Sequence, residues 1–98
     1  MPAELQIPPN VASDKKACEL IRAWAAHGGL VCSLNTGTWP QDQAAVAWGI
    51  LLSDIARHVA DALHQAHGLE KATVLGTMRG VFDSELDGPT APATGKFV

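Results

Sequence analysis

Apolar residues along this chain recur mainly with the period of a helix. From Ala44 to about His67 they trace a stripe roughly two residues wide per turn, which predicts one long helix. Its first nine residues, Ala44 to Leu52, contain no charge and no hydroxyl group, so we expect a second subunit or the C-terminal tail to cover them. Gly68 follows at the position where a left-handed residue commonly ends a helix.

Two other segments also have helical spacing. Residues 14–27 form an amphipathic stripe that Gly28 would cap, which predicts a first helix. In residues 69–87, apolar positions three to four apart favour a further helix. A strand over Ala72–Leu75 is the alternative there, because Gly76 and other weak helix formers interrupt the pattern.

One segment, Leu30 to Thr36, alternates between apolar and mixed positions and predicts a strand. A single strand needs a partner. The candidates are Glu4–Ile7, Gly95–Val98, or the same strand of a second subunit, paired antiparallel about a two-fold axis. The expected fold is therefore a small α+β domain, arranged helix–strand–long helix–helix, with a small antiparallel sheet.

The chain divides by composition into a domain over residues 1–86 and a tail over residues 87–98. The tail is rich in proline and glycine but ends on Phe97 and Val98, so we expect it to be docked rather than free. At 98 residues a single domain buries a modest core, and a partner subunit would add to its stability. These features favour a homodimer.

Charge and composition exclude several classes of protein. The net charge is −3 with scattered basic residues, which argues against nucleic-acid binding. The longest apolar run is too short to cross a bilayer, and no secretory signal is visible, so a cytoplasmic location is expected. Cys18 and Cys32 lack the spacing of a metal or redox motif and are expected to be buried free thiols.

The strongest candidate for chemistry is a polar stripe on the long helix. Asp54, His58 and Asp61 lie three or four residues apart and therefore share one face. A carboxylate beside an imidazole suits acid–base work, and such a pair can also ligate a metal. A solvated surface with an Arg57–Asp61 ion pair is the plainer alternative, and we expect neither metal nor cofactor.

A second candidate lies in the loop before the long helix. Asn35, Thr38 and Trp39 place polar groups and an indole beside a helix N-terminus, where ligands often bind. For Trp39 itself, packing over the helix as a lid is the favoured interpretation, and ligand contact is the alternative. Either Thr38 or Asp42 could cap the helix. No nucleophile motif accompanies these residues.

A resemblance to a known family is carried by three segments, namely Ile7–Pro9, Arg22–Ala26 and Trp48–His58. In these segments the chain resembles a family of small bacterial proteins known only as a domain of unknown function. It extends from about Leu5 to Leu86 and implies a cytoplasmic α+β protein, with no assigned activity.

Two functions follow as hypotheses. The first is a small binding or protein-interaction module that acts as a homo-oligomer. The alternative is a small enzyme or ligand-binding protein that uses Asp54, His58 and Asp61 with Trp39 nearby. Whether the chain is an enzyme, and which ligand it would take, stays open at this stage.

Overall fold

The computed structural model describes residues 4–98. A single helical turn, α1 (Pro9–Ala12), precedes two strands, β1 (Ile21–Ala26) and β2 (Gly29–Leu34). Two helices follow, α2 (Ala44–His67) and α3 (Lys71–Asp87), and the chain then returns to the sheet as β3 (Ala93–Phe97). The predicted α+β class is confirmed.

The sheet has three strands in the order β1-β2-β3. β1 pairs antiparallel with β2, from Ile21 opposite Leu34 to Ala26 opposite Gly29. β3 pairs parallel with β2, so the sheet is mixed rather than antiparallel as expected. Both edges of β2 are filled by its own chain. Of the three candidate partners of this strand, Gly95–Val98 is largely right, because β3 includes residues 95–97, whereas the pairing with a symmetry mate is wrong.

The helix predicted over residues 14–27 is also wrong, because most of its second half is β1. His27 and Gly28 form a two-residue turn with φ values of 54° and 75°, as a tight hairpin requires. The alanine-rich sequence favours a helix locally, but pairing along all six residues of β1 overrides that preference. Gly28 therefore turns a hairpin rather than capping a helix.

The two later helices follow the prediction. α2 has the expected bounds, and Gly68 ends it with φ 69° and an N–H that donates to the His64 carbonyl. α3 is helical throughout, which excludes the alternative strand at its start. The expected N-cap of α2 is wrong, because Gln43 occupies that position without a capping side-chain hydrogen bond.

The C-terminal residues are held by specific bonds. Thr90 donates from its N–H and from Oγ1 to the Glu85 carboxylate, both at 2.8 Å, and these bonds lower the pKa of Glu85. Beyond β3, the Val98 carbonyl accepts from both the N–H and Oγ1 of Thr36 at 2.7 Å. Gly95 sits in the strand at φ 137°, with its backbone directly against Cys32.

The helices and the sheet form two separate layers. Within the described residues, α2 and α3 approach one another closely, and the strands approach only their neighbouring strands. Ala60, at 1% exposure, is the one hydrophobic side chain buried in residues 4–98, and it lies on α2. Cys18 is exposed and Cys32 is half-buried, so the expected burial of both thiols is wrong. No described helix is long and apolar enough to span a membrane.

Candidate functional site

The polar stripe of α2 lies on the exposed surface. Arg57 Nη2 lies 2.7 Å from Asp54 Oδ1, one turn away on the same helix. Lys71 Nζ, at the start of α3, lies 3.2 Å from Asp61 Oδ1. Both carboxylates therefore pair with cations, and the Asp61 partner is Lys71 rather than the expected Arg57. His58 is exposed on the same helix.

This arrangement offers little for chemistry. A general acid or a metal ligand works best where several groups converge and water is excluded. In residues 4–98, no three His, Cys, Asp or Glu side chains lie close enough to hold a metal ion. A neighbouring imidazole, His64, uses Nδ1 in a 2.8 Å hydrogen bond with the Leu69 carbonyl, which fastens the turn between the helices.

The loop candidates make structural contacts. Asn35 Oδ1 accepts from the Gly37 N–H at 3.1 Å, and Asn35 Nδ2 donates to the Glu19 carbonyl at 3.4 Å. The Trp39 ring meets Trp48 edge to face with centroids 5.7 Å apart. Thr38 is half-buried, and its buried Oγ1 has no hydrogen-bond partner among the described residues.

The two groups of candidates do not form one site. Trp39 rests on Trp48, which precedes Asp54 by six residues on α2. Six residues of α-helix separate two side chains by about 9 Å along the axis and roughly 120° around it. The indoles and the Asp54 carboxylate consequently face different directions, so the sequence prediction of a shared site lacks geometric support.

Two open clefts border β1 instead. The larger cleft, about 540 Å³, lies between residues 4–7 and β1. The smaller cleft, about 200 Å³, lies beside Leu34 and Val98. Both are lined by Glu19 and Arg22, whose side chains form a 2.7 Å ion pair. The hydrogen bond from Arg22 to that carboxylate raises the pKa of the guanidinium. The sequence pattern gave no sign of these clefts, because it predicted a helix where β1 lies.

The most extensive unusual surface is apolar. Alternation along the paired strands places nine residues without charge or hydroxyl on one face of the sheet. They are Ile21, Ala23, Ala25, Leu30, Cys32, Leu34, Ala93, Gly95 and Phe97. Leu30 and Phe97 are exposed, and no described helix approaches these strands. A sheet of three strands normally buries such a face against another layer.

The helices also leave apolar surface open. On α2, Leu52, Ile55 and Val59 are exposed. On α3, Val81, Phe82 and Leu86 are exposed as well. Contiguous apolar surface on both layers is typical of a protein–protein interface rather than of the surface of a stable monomer. We take this combined surface as the candidate functional site.

Residues 4–90 match the family described as Domain of unknown function (DUF5076). The chain belongs to this family. The membership confirms the resemblance predicted from the sequence, and the family description assigns no activity to its members. No curated protein matches the chain.

A solved structure extends the comparison. It comes from the photosynthetic bacterium Rhodopseudomonas palustrus CGA009 and is described as a "putative pyruvate dehydrogenase". The present chain is similar to that structure, with 32% sequence identity and a TM-score of 0.69. The match covers 96% of this chain and 93% of the other, so the two share one fold over nearly their whole lengths.

Proposed function

We propose that this chain is a protein-interaction module of the bacterial cytoplasm that works as a homo-oligomer, because a second copy is needed to complete its core. The observation that carries the proposal is the amount of surface left open. The chain exposes 8351 Å². A compact monomer of 10.3 kDa exposes about 5,400 Å².

The difference, about 3,000 Å² per chain, exceeds what a stable association requires. A standard interface buries about 800 Å² per partner, and obligate homodimers bury roughly 1,000 to 2,500 Å² per partner. The open surface is therefore large enough for an obligate interface. The radius of gyration supports the same reasoning, because it is 15.3 Å whereas a compact chain of this length has about 12.6 Å.

The chemistry of the open surface favours a second copy over solvent. The uncovered sheet face carries neither charges nor hydroxyl groups, and the exposed parts of α2 and α3 contribute aliphatic and aromatic side chains. Obligate homodimer interfaces have this apolar character and resemble a domain core cut in half. An isolated chain would leave these groups in water.

The enzyme alternative receives less support from the geometry. The relative's description names a pyruvate dehydrogenase for that protein, and the family description names no activity. On this chain, Asp54 and Asp61 are held in exposed ion pairs, and Trp39 lies on another face. The interaction module accounts for the open apolar surface, which the enzyme alternative leaves unexplained.

The cytoplasmic and bacterial parts of the proposal rest on two observations. Cys18 and Cys32 are both free thiols, as is usual in a reducing compartment. The similar solved structure comes from a bacterium.

Size-exclusion chromatography with light scattering tests the proposal. We expect a mass of twice 10.3 kDa or a higher multiple, and a melting temperature that rises with protein concentration. A 10.3 kDa species that melts cooperatively at a concentration-independent temperature would overturn it. The measurement should span micromolar to hundreds of micromolar chain, so that weak association is also detected.

A further inference from the structure

The exposed side of α2 carries a row of apolar residues that indicates how a second copy binds. This inference rests on the proposed homo-oligomer and specifies its interface. We propose that α2 pairs antiparallel with α2 of a second copy about a two-fold axis, through a row of residues that we call the α2 seam. These are Trp48, Leu52, Ile55, Val59, Ala62 and Ala66.

The α2 seam has the spacing of a paired helix. Its members are separated by four, three, four, three and four residues, which is the alternation of a coiled-coil contact line. The seam lies roughly a third of a turn around α2 from Ala60, the buried residue of α2. Asp61, which pairs with Lys71 of α3, also lies away from the seam, so the seam is separate from the side of α2 where that contact occurs.

The seam is open in the single chain from Leu52 onward, whereas Trp48, its first member, is half-buried against Trp39. Leu52, Ile55 and Val59 are 44%, 42% and 37% exposed, although they lie in the middle of a 24-residue helix. Ala62 and Ala66 are exposed as well. Every charged side chain and every histidine of α2 lies off this row, so no charge opposes its burial.

Side-chain size selects the antiparallel register. Large residues occupy the first half of the seam, and alanines occupy its last two positions. If two copies run antiparallel and the axis crosses the seam midway between Ile55 and Val59, Leu52 of one copy faces Ala62 of the other, and Ile55 faces Val59. Trp48 likewise faces Ala66. Each large side chain then meets a smaller or similar one, the pairing that fills a core without voids.

A parallel pairing lacks this complementarity. It would place Trp48 against Trp48 at one end and alanine against alanine at the other, giving a crowded end and a loose end. Both pairings use the same patch on two copies, as a two-fold interface requires, so side-chain size decides between them. The α2 seam, 18 residues from one end to the other, provides that patch.

Disulfide trapping tests the register directly. The experiment uses the full chain with Cys18→Ser and Cys32→Ala, to which Leu52→Cys and Ala62→Cys are added. Within one helix these two positions are about 15 Å apart, too far for an intrachain disulfide. We expect oxidation to give a covalent dimer that migrates at twice the chain mass under denaturing, non-reducing conditions.

The matched control is Leu52→Cys alone in the same background. In the antiparallel pair the two copies of this cysteine are about 15 Å apart and should stay reduced. A covalent dimer from the single variant would indicate parallel helices and overturn the proposal. Failure of the double variant to cross-link, while light scattering shows a dimer under reducing conditions, would also overturn the register and leave the homo-oligomer standing. A monomer would overturn both.

A size exchange in the natural cysteine background provides an independent test. Leu52→Ala and Ala62→Leu should each raise the dimer dissociation constant by roughly 100-fold or more, since each contact occurs twice about the axis. The double variant L52A/A62L exchanges the two sizes and should return to within about tenfold of the natural chain. If the dissociation constant of the double variant instead rises by the product of the two single increases, the two positions do not touch, which overturns the register.

Discussion

The attachment of β3 to the sheet can be tested at Gly95. A Cβ atom added there would lie 1.7 Å from the Cys32 carbonyl oxygen and 2.6 Å from its carbonyl carbon. Both atoms belong to the backbone of the central strand and cannot rotate away. The φ of 137° adds strain for any residue with a side chain. Gly95→Ala therefore requires β3 to move away from β2.

The size of the effect follows from the ladder that would be disrupted. β3 pairs with β2 at five positions from Leu30 to Leu34. A backbone hydrogen bond contributes about 1 kcal/mol net, so partial loss of this ladder should lower the free energy of unfolding by about 3 kcal/mol or more. Domains of this size have roughly 5 to 15 kcal/mol in total. The variant should therefore be severely weakened.

Urea denaturation followed by circular dichroism measures this change, at one chain concentration for every variant. Gly88→Ala is the matched control, because a Cβ there meets nothing within 4 Å and φ is −153°. We expect its stability to stay within about 0.5 kcal/mol of the natural chain. Amide exchange at Val98, whose N–H donates to Leu34, should accelerate in the Gly95 variant alone. Equal stability of the two variants, with Val98 still protected, would refute the reasoning.

Two further predictions concern the C-terminal ends of α2 and α3, with a substitution inside α3 as a control. Glu85→Gln should weaken the hydrogen bonds to Thr90. Because those bonds lower the pKa of Glu85, the stabilisation they give is fully present above the ordinary pKa of 4.5. It disappears as the pH falls through the lowered pKa. Urea midpoints of the natural and Gln chains should thus converge in acid, and a gap that persists at low pH would contradict this. Gly68→Ala should lower the free energy of unfolding by about 1 kcal/mol, because φ at this position is 69°. Gly76→Ala, within α3, is the matched control and should raise the free energy of unfolding by up to about 1 kcal/mol. Thermal melting measures both changes, and equal shifts in the two variants would be inconsistent with a left-handed cap at Gly68.

The sequence predicts α2 and α3 well because their apolar periods are long and local. For α2, Gly68 adds an end signal that needs no tertiary information. β1 could not be predicted in the same way, because its apolar residues also fit a helical stripe. Only the partner strand β2, brought alongside by the turn at His27 and Gly28, decides between the two conformations.

The candidate site was predicted only in part. The sequence indicates that the start of α2 needs cover, and Val46 and Ile50 are indeed exposed in the single chain. The tail does not provide that cover, because its strand pairs with β2 instead. The apolar face of the sheet could not be foreseen, because it combines residues from β1, β2 and β3, and the sequence pattern predicted a helix where β1 lies.

The parallel pairing of β3 with β2 also affects the order of folding. Both helices lie between these two strands in the chain, so their contact closes a long loop. Helices and short hairpins form within microseconds, whereas distant strands meet late. The β1–β2 hairpin and the α2–α3 pair should consequently form first. Until β3 arrives, one edge of β2 is unpaired and can accept a strand from another molecule, which makes slow closure of this edge the step most exposed to aggregation.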